Sequence, residues 1–208
     1  MKDLIIIGAG NVGGYISYNI ADFQGYRVLG FLDDNIEKQG KMMYGRTVLG
    51  PCSSIDNYIG DTPLHVVIGI ANPVAKKKIA LLLKDKNVFF PNLIARNVWL
   101  SAQVQKGKGI IIYPGVSVNY ETQLGDFVII NMNCAIGHNC KIASYATLAP
   151  GVNLAGFTQI GETAEIGIGV STRQGVIIGE NAVVGGQSMI LNDVPPGTRV
   201  MGVPAKAG

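Results

Sequence analysis

Residues 94–201 read IARNVW-LSAQVQ-KGKGII-IYPGVS-VNYETQ-LGDFVI-INMNCA-IGHNCK-IASYAT-LAPGVN-LAGFTQ-IGETAE-IGIGVS-TRQGVI-IGENAV-VGGQSM-ILNDVP-PGTRVM when divided into groups of six. The first position of these eighteen hexads is Ile, Leu or Val in fifteen of them, and the exceptions are Lys106, Thr172 and Pro196. The fifth position is always small or β-branched. With apolar usage near one half, about nine apolar first positions would be expected by chance. The pattern therefore predicts a regular repeat that continues to residue 201 without a slip.

A period of six fits neither an α-helix nor a single strand, whose side chains repeat every 3.6 and 2 residues. It is typical of a β-helix, in which each hexad forms a short strand and a corner and turns an apolar residue inward. Three hexads close one triangular coil, so eighteen hexads predict six coils stacked at about 4.8 Å. Residues that are eighteen positions apart then lie directly above one another.

The N-terminal segment has the pattern of a nucleotide-binding βαβ unit. A strand at residues 2–7 leads into GAGNVGG at residues 8–14, which contains G-x-G-x-x-G and is followed by a helical pattern. Such glycines let a backbone approach a phosphate at a helix N-terminus. The next strand, 27–32, ends at Asp33 and Asp34, where an acidic side chain can accept ribose hydroxyls. A tight βα turn followed by an ordinary loop is the alternative interpretation.

The remaining N-terminal residues predict a small, abbreviated Rossmann-like domain. Residues 36–63 are interpreted as a loop with a short helical piece, 64–70 as a third strand, and 73–86 as a helix. We therefore divide the chain into a Rossmann-like domain at 1–93, with three or four parallel strands, and a β-helix domain at 94–208. No part of the sequence resembles the catalytic half of a dehydrogenase, which argues against hydride transfer.

Composition excludes several classes of function. The net charge is +3 with 15% charged residues, and without a basic stripe we expect no nucleic-acid binding. No apolar run approaches the length of a membrane span, and no targeting segment precedes the first strand. Cys134 and Cys140 occupy small fifth positions and Cys52 has no partner in its own region, which indicates reduced thiols. We expect a cytoplasmic protein. A single histidine in the coils argues against a zinc site, which needs several ligands.

His138 is the candidate base among the outward positions of the coils. It is the only histidine after residue 65, and it occupies the third place of its hexad. The 18-residue register places Tyr120 over His138 and Glu121 over Asn139, with Gly156 one coil below His138. A polar neighbour could hold one ring nitrogen and leave the other free as a base near neutral pH. The bare backbone of Gly156 could let a ligand approach.

Five segments together resemble the sugar O-/N-acyltransferases, which include sialic-acid O-acetyltransferases and UDP-4-amino-sugar N-acetyltransferases. They are GAGNVG (8–13), FLDDN (31–35), VIGIANP (67–73), IGHNC (136–140) and the closing GVPAK (202–206). The resemblance covers both domains in order. It implies a Rossmann-like domain that holds the nucleotide of a UDP-sugar, followed by a left-handed parallel β-helix. It also implies a homotrimer that binds acetyl-CoA between protomers.

Carried over residue by residue, the resemblance assigns His138 as general base with Asn139 as its neighbour in the catalytic pair. The implied nucleotide-sugar contacts are Gly8, Gly10, Asn11, Val12, Asp33, Asp34 and Gly69. The implied acetyl-CoA contacts are Thr147, Gly156, Ile168 and Gly186, and the last three are expected near one corner of successive coils. A backbone N–H near Gly156 or Thr147 is expected to stabilise the oxyanion. No metal is implied.

Two departures from the family pattern bear on activity. The residue after the base is usually acidic but is Asn139 here, and a second histidine nine residues after the base is replaced by Thr147. Glu121, one coil away, could supply the missing carboxylate. The sequence predicts transfer of acetyl from acetyl-CoA to an amino or hydroxyl group of a nucleotide-linked sugar. The alternatives are an O-acetyltransferase acting on sialic acid, and a trimeric nucleotide-sugar sensor or scaffold with weakened catalysis.

Overall fold

The computed structural model describes residues 1–23 and 25–208. Contacts divide the chain into two compact units. The first contains residues 1–71 and 75–91, and the second contains residues 72–74 and 92–208.

The first unit is built on a mostly parallel sheet. Its strand order is β3-β4-β2-β1-β5-β6, with every neighbouring pair parallel except β3 and β4. The elements are β1 (Lys2–Ile7), α1 (Asn11–Tyr18), β2 (Tyr26–Leu32), β3 (Met42–Met43), β4 (Arg46–Gly50), β5 (Leu64–Ile68), α2 (Pro73–Leu82) and β6 (Val88–Phe89), with 3-10 turns at Ile20–Asp22 and Cys52–Tyr58. The central strand β1 has four fully buried apolar residues in succession, as expected for a parallel strand inside a sheet.

Three predictions for this unit needed correction. Residues 36–63 contain the expected short helical piece, but they also contain two strands that were not predicted, β3 and β4, and β4 extends the sheet beside β2. The third strand ends at Ile68, before Gly69. The helix that begins at Pro73 ends at Leu82, four residues before the predicted end. The sheet thus has five parallel strands where three or four were expected.

The second unit is a left-handed parallel β-helix, which confirms the predicted fold. Its strands are β7 (Leu93–Ile94), β8 (Trp99–Leu100), β9 (Gln105–Lys106), β10 (Ile111–Ile112), β11 (Ser117–Val118), β12 (Gln123–Leu124), β13 (Ile129–Ile130), β14 (Ala135–Ile136), β15 (Lys141–Ile142), β16 (Thr147–Leu148), β17 (Asn153–Leu154), β18 (Gln159–Ile160), β19 (Glu165–Ile166), β20 (Ser171–Thr172), β21 (Ile177–Ile178), β22 (Val183–Val184), β23 (Met189–Ile190), β24 (Arg199–Met201) and β25 (Lys206–Ala207). From β7 to β23, every third strand joins the same one of three sheets, whereas β24 pairs with β22 and β25 pairs with β24 in the antiparallel sense. Partners are eighteen residues apart, for example Ile112 and Ile130.

Each hexad forms one side of a triangular coil, with two residues that point inward and one that turns the corner. From the second coil onward, the first and fifth residues of the hexads are buried except for Pro196, and the apolar ones form one continuous core. The fourth residue turns the corner, and it has a positive φ in most hexads whether or not it is glycine. The non-glycine corners are Gln103, Glu121, Phe127, Asn133, Asn139, Tyr145, Phe157, Thr163, Asn181 and Gln187. Most L-residues avoid this conformation, so the stack must impose it.

The repeat does slip once, near its end. Val194 bridges Ile178 and Val200 pairs with Val184, so both partners are sixteen residues apart instead of eighteen. The hexad that begins at Ile190 is therefore two residues short. This shortening makes Val194 and Val200 inward first positions and explains why Pro196 breaks the predicted frame.

Candidate functional site

A cavity of about 930 Å³ in the first unit brings together all seven predicted nucleotide-sugar residues. These are Gly8, Gly10, Asn11, Val12, Asp33, Asp34 and Gly69. Residues from five different segments meet here because the carboxyl ends of neighbouring parallel strands share one edge of the sheet. The cavity is large enough for a ligand of nucleotide size.

The glycines of the loop serve two different purposes. A side chain on Gly13 would collide with the carbonyl oxygen of Gly8, and Gly8 itself has a φ of +98°. These two glycines are needed for the turn itself. Gly10 is different, because a Cβ there would meet nothing within 4 Å and its φ is −109°. The bare face of Gly10 lines the cavity, where a ligand can approach the backbone.

The helix that follows the loop offers donors to an anion. Gly10 is the N-cap residue of α1, and no side chain caps the helix. The first turn contains no acidic residue. Asn11 and Val12, the first two residues of the helix, line the cavity, so the positive end of the helix dipole lies beside the ligand space.

Asp33 ties the glycine loop to the end of β2. Its carboxylate accepts hydrogen bonds from the N–H groups of Ala9 at 2.8 Å and Asn35 at 2.9 Å, and from Lys38 Nζ at 3.1 Å. Burial would raise the pKa of Asp33, but these hydrogen bonds and the Lys38 charge outweigh it and lower the pKa below its ordinary value. Asp33 is therefore ionised and its position is fixed.

Asp34 and a second group of cavity residues complete this site. Asp34 Oδ1 accepts the N–H of Cys52 at 2.8 Å. Sequence reasoning missed Lys38, whose ammonium also donates to the Ala9 carbonyl at 3.1 Å. It also missed Lys78, which lines the cavity but stands in a basic run that has the appearance of a solvated helix face. The folded helix shows that Lys78 lines the cavity, while Lys76 of the same run is buried.

The imidazole of His138 is held on three sides. Tyr120 stacks on the ring with centroids 5.3 Å apart and an interplanar angle of 11°, as the 18-residue register predicted. Phe157 meets the ring edge-on at 5.0 Å. Nδ1 lies 2.9 Å from Oδ1 of Asn139. These contacts restrict the ring to one orientation, which is the first requirement for a positioned base.

Gly156 lies directly beneath the other ring nitrogen. A Cβ on Gly156 would come within 2.6 Å of His138 Nε2 and 2.7 Å of Cε1. A side chain at this position would occupy the space of the imidazole itself. Within the part of the chain that is described, the Gly156 N–H donates no hydrogen bond. The site thus combines a ring nitrogen with an unused backbone donor.

Glu121 lies one coil from Asn139, but it does not contact His138. Its Oε2 accepts a hydrogen bond from Asn139 Nδ2 at 2.6 Å. The carboxylate that the sequence suggested as a partner of the base therefore reaches the imidazole only through the Asn139 amide.

The predicted acetyl-CoA residues do not share one corner. Gly156 lies with His138, whereas a Cβ on Gly186 would meet Ile168 Cγ2 at 2.9 Å. Ile168 also accepts the N–H of Gln187, so Ile168 and Gly186 stack at a different corner. The reason is that one coil takes eighteen residues, and the twelve residues from Gly156 to Ile168 advance the chain by two sides only.

Thr147 is placed away from the base. It lies on β16, half a coil from His138, and its N–H donates to the Ala164 carbonyl at 3.0 Å. This ladder hydrogen bond makes the amide unavailable to an oxyanion, so that expectation was wrong for Thr147.

Two further properties concern the described residues as a whole. None of the helices in residues 1–23 and 25–208 is long and apolar enough to cross a membrane. The three cysteines are free, and Cys134 and Cys140 are buried in the coil core as predicted.

Two family models match the chain. Residues 3–83 match the PglD N-terminal domain, and residues 121–156 match the bacterial transferase hexapeptide of six repeats. No curated protein sequence matches.

Several solved structures share the whole fold. The acetyltransferase domain of PglB from Neisseria gonorrhoeae FA1090 is 28% identical, with all of both chains covered and a TM-score of 0.93. The same domain in complex with acetyl coenzyme A has a TM-score of 0.91 and is also 28% identical, with all of this chain and 99% of that chain covered. WeeI from Acinetobacter baumannii AYE is 26% identical, with both chains fully covered and a TM-score of 0.88. The chain therefore combines a match to the PglD N-terminal domain with a match to the bacterial transferase hexapeptide, and it is similar over both domains to an acetyltransferase domain of known structure.

Proposed function

We propose that this protein transfers acetyl from acetyl-CoA to an amino, or a hydroxyl, group of a nucleotide-linked sugar in surface-glycan biosynthesis. The observation that carries the proposal is the geometry of His138. One ring nitrogen is held by Asn139 and the other lies over the bare Cα of Gly156. The acetyl-CoA complex of the similar PglB domain supports the choice of donor.

In the proposed reaction, the sugar amine attacks the thioester carbonyl while His138 Nε2 accepts its proton. The C–N bond forms, the C–S bond then breaks, and the departing thiolate takes the proton from the imidazolium. General base catalysis of this kind contributes about 10²- to 10⁴-fold to the rate. The free N–H of Gly156 is the candidate donor to the oxyanion, a role that Thr147 cannot fill through its amide.

The nucleotide sugar is assigned to the domain at residues 1–93. The amides at the start of α1 and the ammonium of Lys78 supply donors for a diphosphate along the cavity wall. Asp33 fixes the loop, while the carboxylate of Asp34 lines the cavity, where it can accept from a hydroxyl or a base N–H. Gly10 lets the ligand approach the backbone, whereas Gly8 and Gly69 line the cavity and pack closely against Ile70 and Gly13.

The acetyl-CoA site belongs to the β-helix domain at residues 94–208, and we propose that it forms between protomers of a homotrimer. The corner of Ile168 and Gly186 and the corner of His138 border the same sheet, which contains β14, β17 and β20. The outward residues of this sheet are small or polar along its middle, namely Ser117, Ala135, Asn153 and Ser171. A shallow groove of about 400 Å³ follows this face. A second copy placed over the groove would enclose an extended cosubstrate.

We also assign the protein to the cytoplasm. Its free cysteines fit a reducing compartment, where disulfides are rare.

The test is thiol release from acetyl-CoA in the presence of UDP-amino sugars, GDP-amino sugars and sialic acid. We expect release only with a matching sugar, and a loss of at least about 100-fold in His138→Ala. Calorimetry with each sugar nucleotide and with CoA accompanies the assay. Binding of sugar nucleotide without CoA binding or turnover would identify a sensor in place of an enzyme, and unchanged turnover in His138→Ala would refute the mechanism.

A further inference from the structure

A chain of two hydrogen bonds joins Glu121 to the imidazole. Glu121 Oε2 accepts from Asn139 Nδ2 at 2.6 Å, and Asn139 Oδ1 lies 2.9 Å from His138 Nδ1. Glu121 and Asn139 occupy equivalent corners of successive coils, with φ of 55° and 56°. Their side chains therefore leave the backbone in parallel, which keeps the amide beside the carboxylate.

The carboxylate decides which way the amide faces. An ionised carboxylate can only accept hydrogen bonds, so Asn139 must turn its NH₂ group towards Glu121. The amide oxygen then faces His138, where it can only accept, and Nδ1 must carry the ring proton. In the neutral imidazole this leaves Nε2 with a lone pair above Gly156. If the amide were reversed, its NH₂ group would select the opposite tautomer, in which Nε2 carries the proton and cannot act as a base.

The charge of Glu121 is not neutralised by an ion pair in the described part of the chain. Its surroundings form a polar cleft in which Lys141 is the other charged group. The ring of His138 is otherwise packed between Tyr120 and Phe157, and Tyr120 is the only titratable neighbour among these ring contacts. The Asn139 amide is therefore the path by which this carboxylate acts on the base.

We propose that Glu121 is a positioning residue that acts through Asn139 to hold His138 in the tautomer that has Nε2 free. This inference rests on the proposed function, in which Nε2 accepts the proton of the sugar amine. Glu121 takes no proton in the step and remains a carboxylate throughout. When the imidazolium forms, Nδ1–H donates to an amide oxygen that the Glu121 charge has polarised. Asn139, although neutral, thus orients His138 as a carboxylate beside the base would.

The first experiment compares Glu121→Gln with the double variant Glu121→Gln/Asn139→Asp. The single change removes the charge and lets the amide turn either way. We expect kcat to fall about tenfold with KM for acetyl-CoA unchanged, and the acidic limb of the kcat–pH profile to move to lower pH. In the double variant the introduced glutamine amide donates to a carboxylate that accepts directly from Nδ1–H, so kcat should return to within about threefold of the wild type. A merely structural role would not produce this recovery.

Glu180→Gln is the matched control. Glu180 is an exposed carboxylate at another corner and accepts from an asparagine, Asn181, at 3.1 Å. We expect its kcat and pH profile to equal those of the wild type. Wild-type kcat in Glu121→Gln, or a double variant no faster than the single one, overturns the proposal.

The second experiment does not depend on turnover. The chain has two histidines, His65 and His138, so ¹⁵N-histidine spectra of the whole protein at about pH 8.5 contain two imidazoles. We expect the Nδ1–H tautomer for His138 in the wild type and in the double variant, and a mixture of tautomers in Glu121→Gln. An Nε2–H tautomer in the wild type overturns the inference. If the tautomers behave as expected while no sugar is acetylated, the proposed function fails and the positioning role stands.

Discussion

Replacing Gly156 with alanine tests whether the reaction takes place at His138 Nε2. The new Cβ would lie 2.6 Å from Nε2, whereas ordinary contacts begin at 3.4 Å, so the ring must move by about 0.8 Å. The ring cannot retreat freely, because Tyr120 stacks on one face and Phe157 closes its edge. Misplacement of a reacting group by about 1 Å costs about 100-fold in rate. We therefore expect kcat to fall by about 100-fold, which is about 2.7 kcal/mol in the barrier.

The assay is acetyl-CoA-dependent thiol release at saturating sugar nucleotide, together with thermal unfolding. Gly125→Ala is the control, because its Cβ would meet Ser144 N at 2.5 Å at the one corner of the coils to which no ligand is assigned. We expect both variants to lose some stability and only Gly156→Ala to lose the rate. A folded Gly156→Ala protein with kcat within twofold of the wild type would refute the assignment of Nε2 as the base.

Three other predictions follow from the first unit. Gly10→Ala should abolish sugar-nucleotide binding in calorimetry and leave Tm unchanged. Gly13→Ala should lower Tm, because the new Cβ would collide with the Gly8 carbonyl. A loss of stability in both variants would contradict a ligand role for Gly10. Burial lowers the pKa of Lys76 to about 7, so between pH 7 and about 10 the unfolded protein binds one more proton than the folded protein and the unfolding free energy rises with pH. Relative to Lys76→Met, the wild type should gain on the order of 2 kcal/mol of unfolding free energy from pH 7 to 9 in denaturant titrations. Equal slopes of unfolding free energy against pH in the two proteins would contradict this. Burial and the nearby Asp34 charge raise the pKa of Cys52 to about 12. Iodoacetamide at pH 8 should therefore modify Cys52 about a thousandfold more slowly than a thiol of ordinary pKa, which mass spectrometry can measure. Rapid labelling of Cys52 in the folded protein would contradict this buried environment.

Much of the fold could be predicted because its signals are local and repeated. The apolar first positions and the small fifth positions are visible without any three-dimensional knowledge, and the structure buries them as expected. The strand β4 was missed because its residues, Arg46–Gly50, carry no alternating pattern and end in glycine. Its strand character comes from pairing with β2, which is a long-range contact. The shortened coil near Val194 was missed for a related reason, since valines fit both the first and the fifth positions of a hexad.

The sequence predicted which residues lie near His138, but it did not predict the hydrogen bonds that join them. The 18-residue register correctly stacked Tyr120 on His138 and placed Glu121 beside Asn139. It could not show that the carboxylate contacts only the amide, because that depends on rotamers at two left-handed corners. The expectation that Gly156 and Ile168 share a corner was wrong. The two residues are twelve positions apart, whereas only residues eighteen positions apart lie at the same corner.

The sequence by itself determined the β-helix, its 18-residue register as far as Ile190, and the glycine loop between the first strand and the first helix. Each of these depends on short-range spacing, in which apolar and glycine residues recur at fixed intervals. Only the tertiary structure decided that Gly10 faces an open cavity while Gly13 packs against backbone, and that Glu121 reaches His138 through an amide. Hydrogen bonds and close contacts change over tenths of an ångström, and that precision arises from the packed coils and not from the order of residues along the chain.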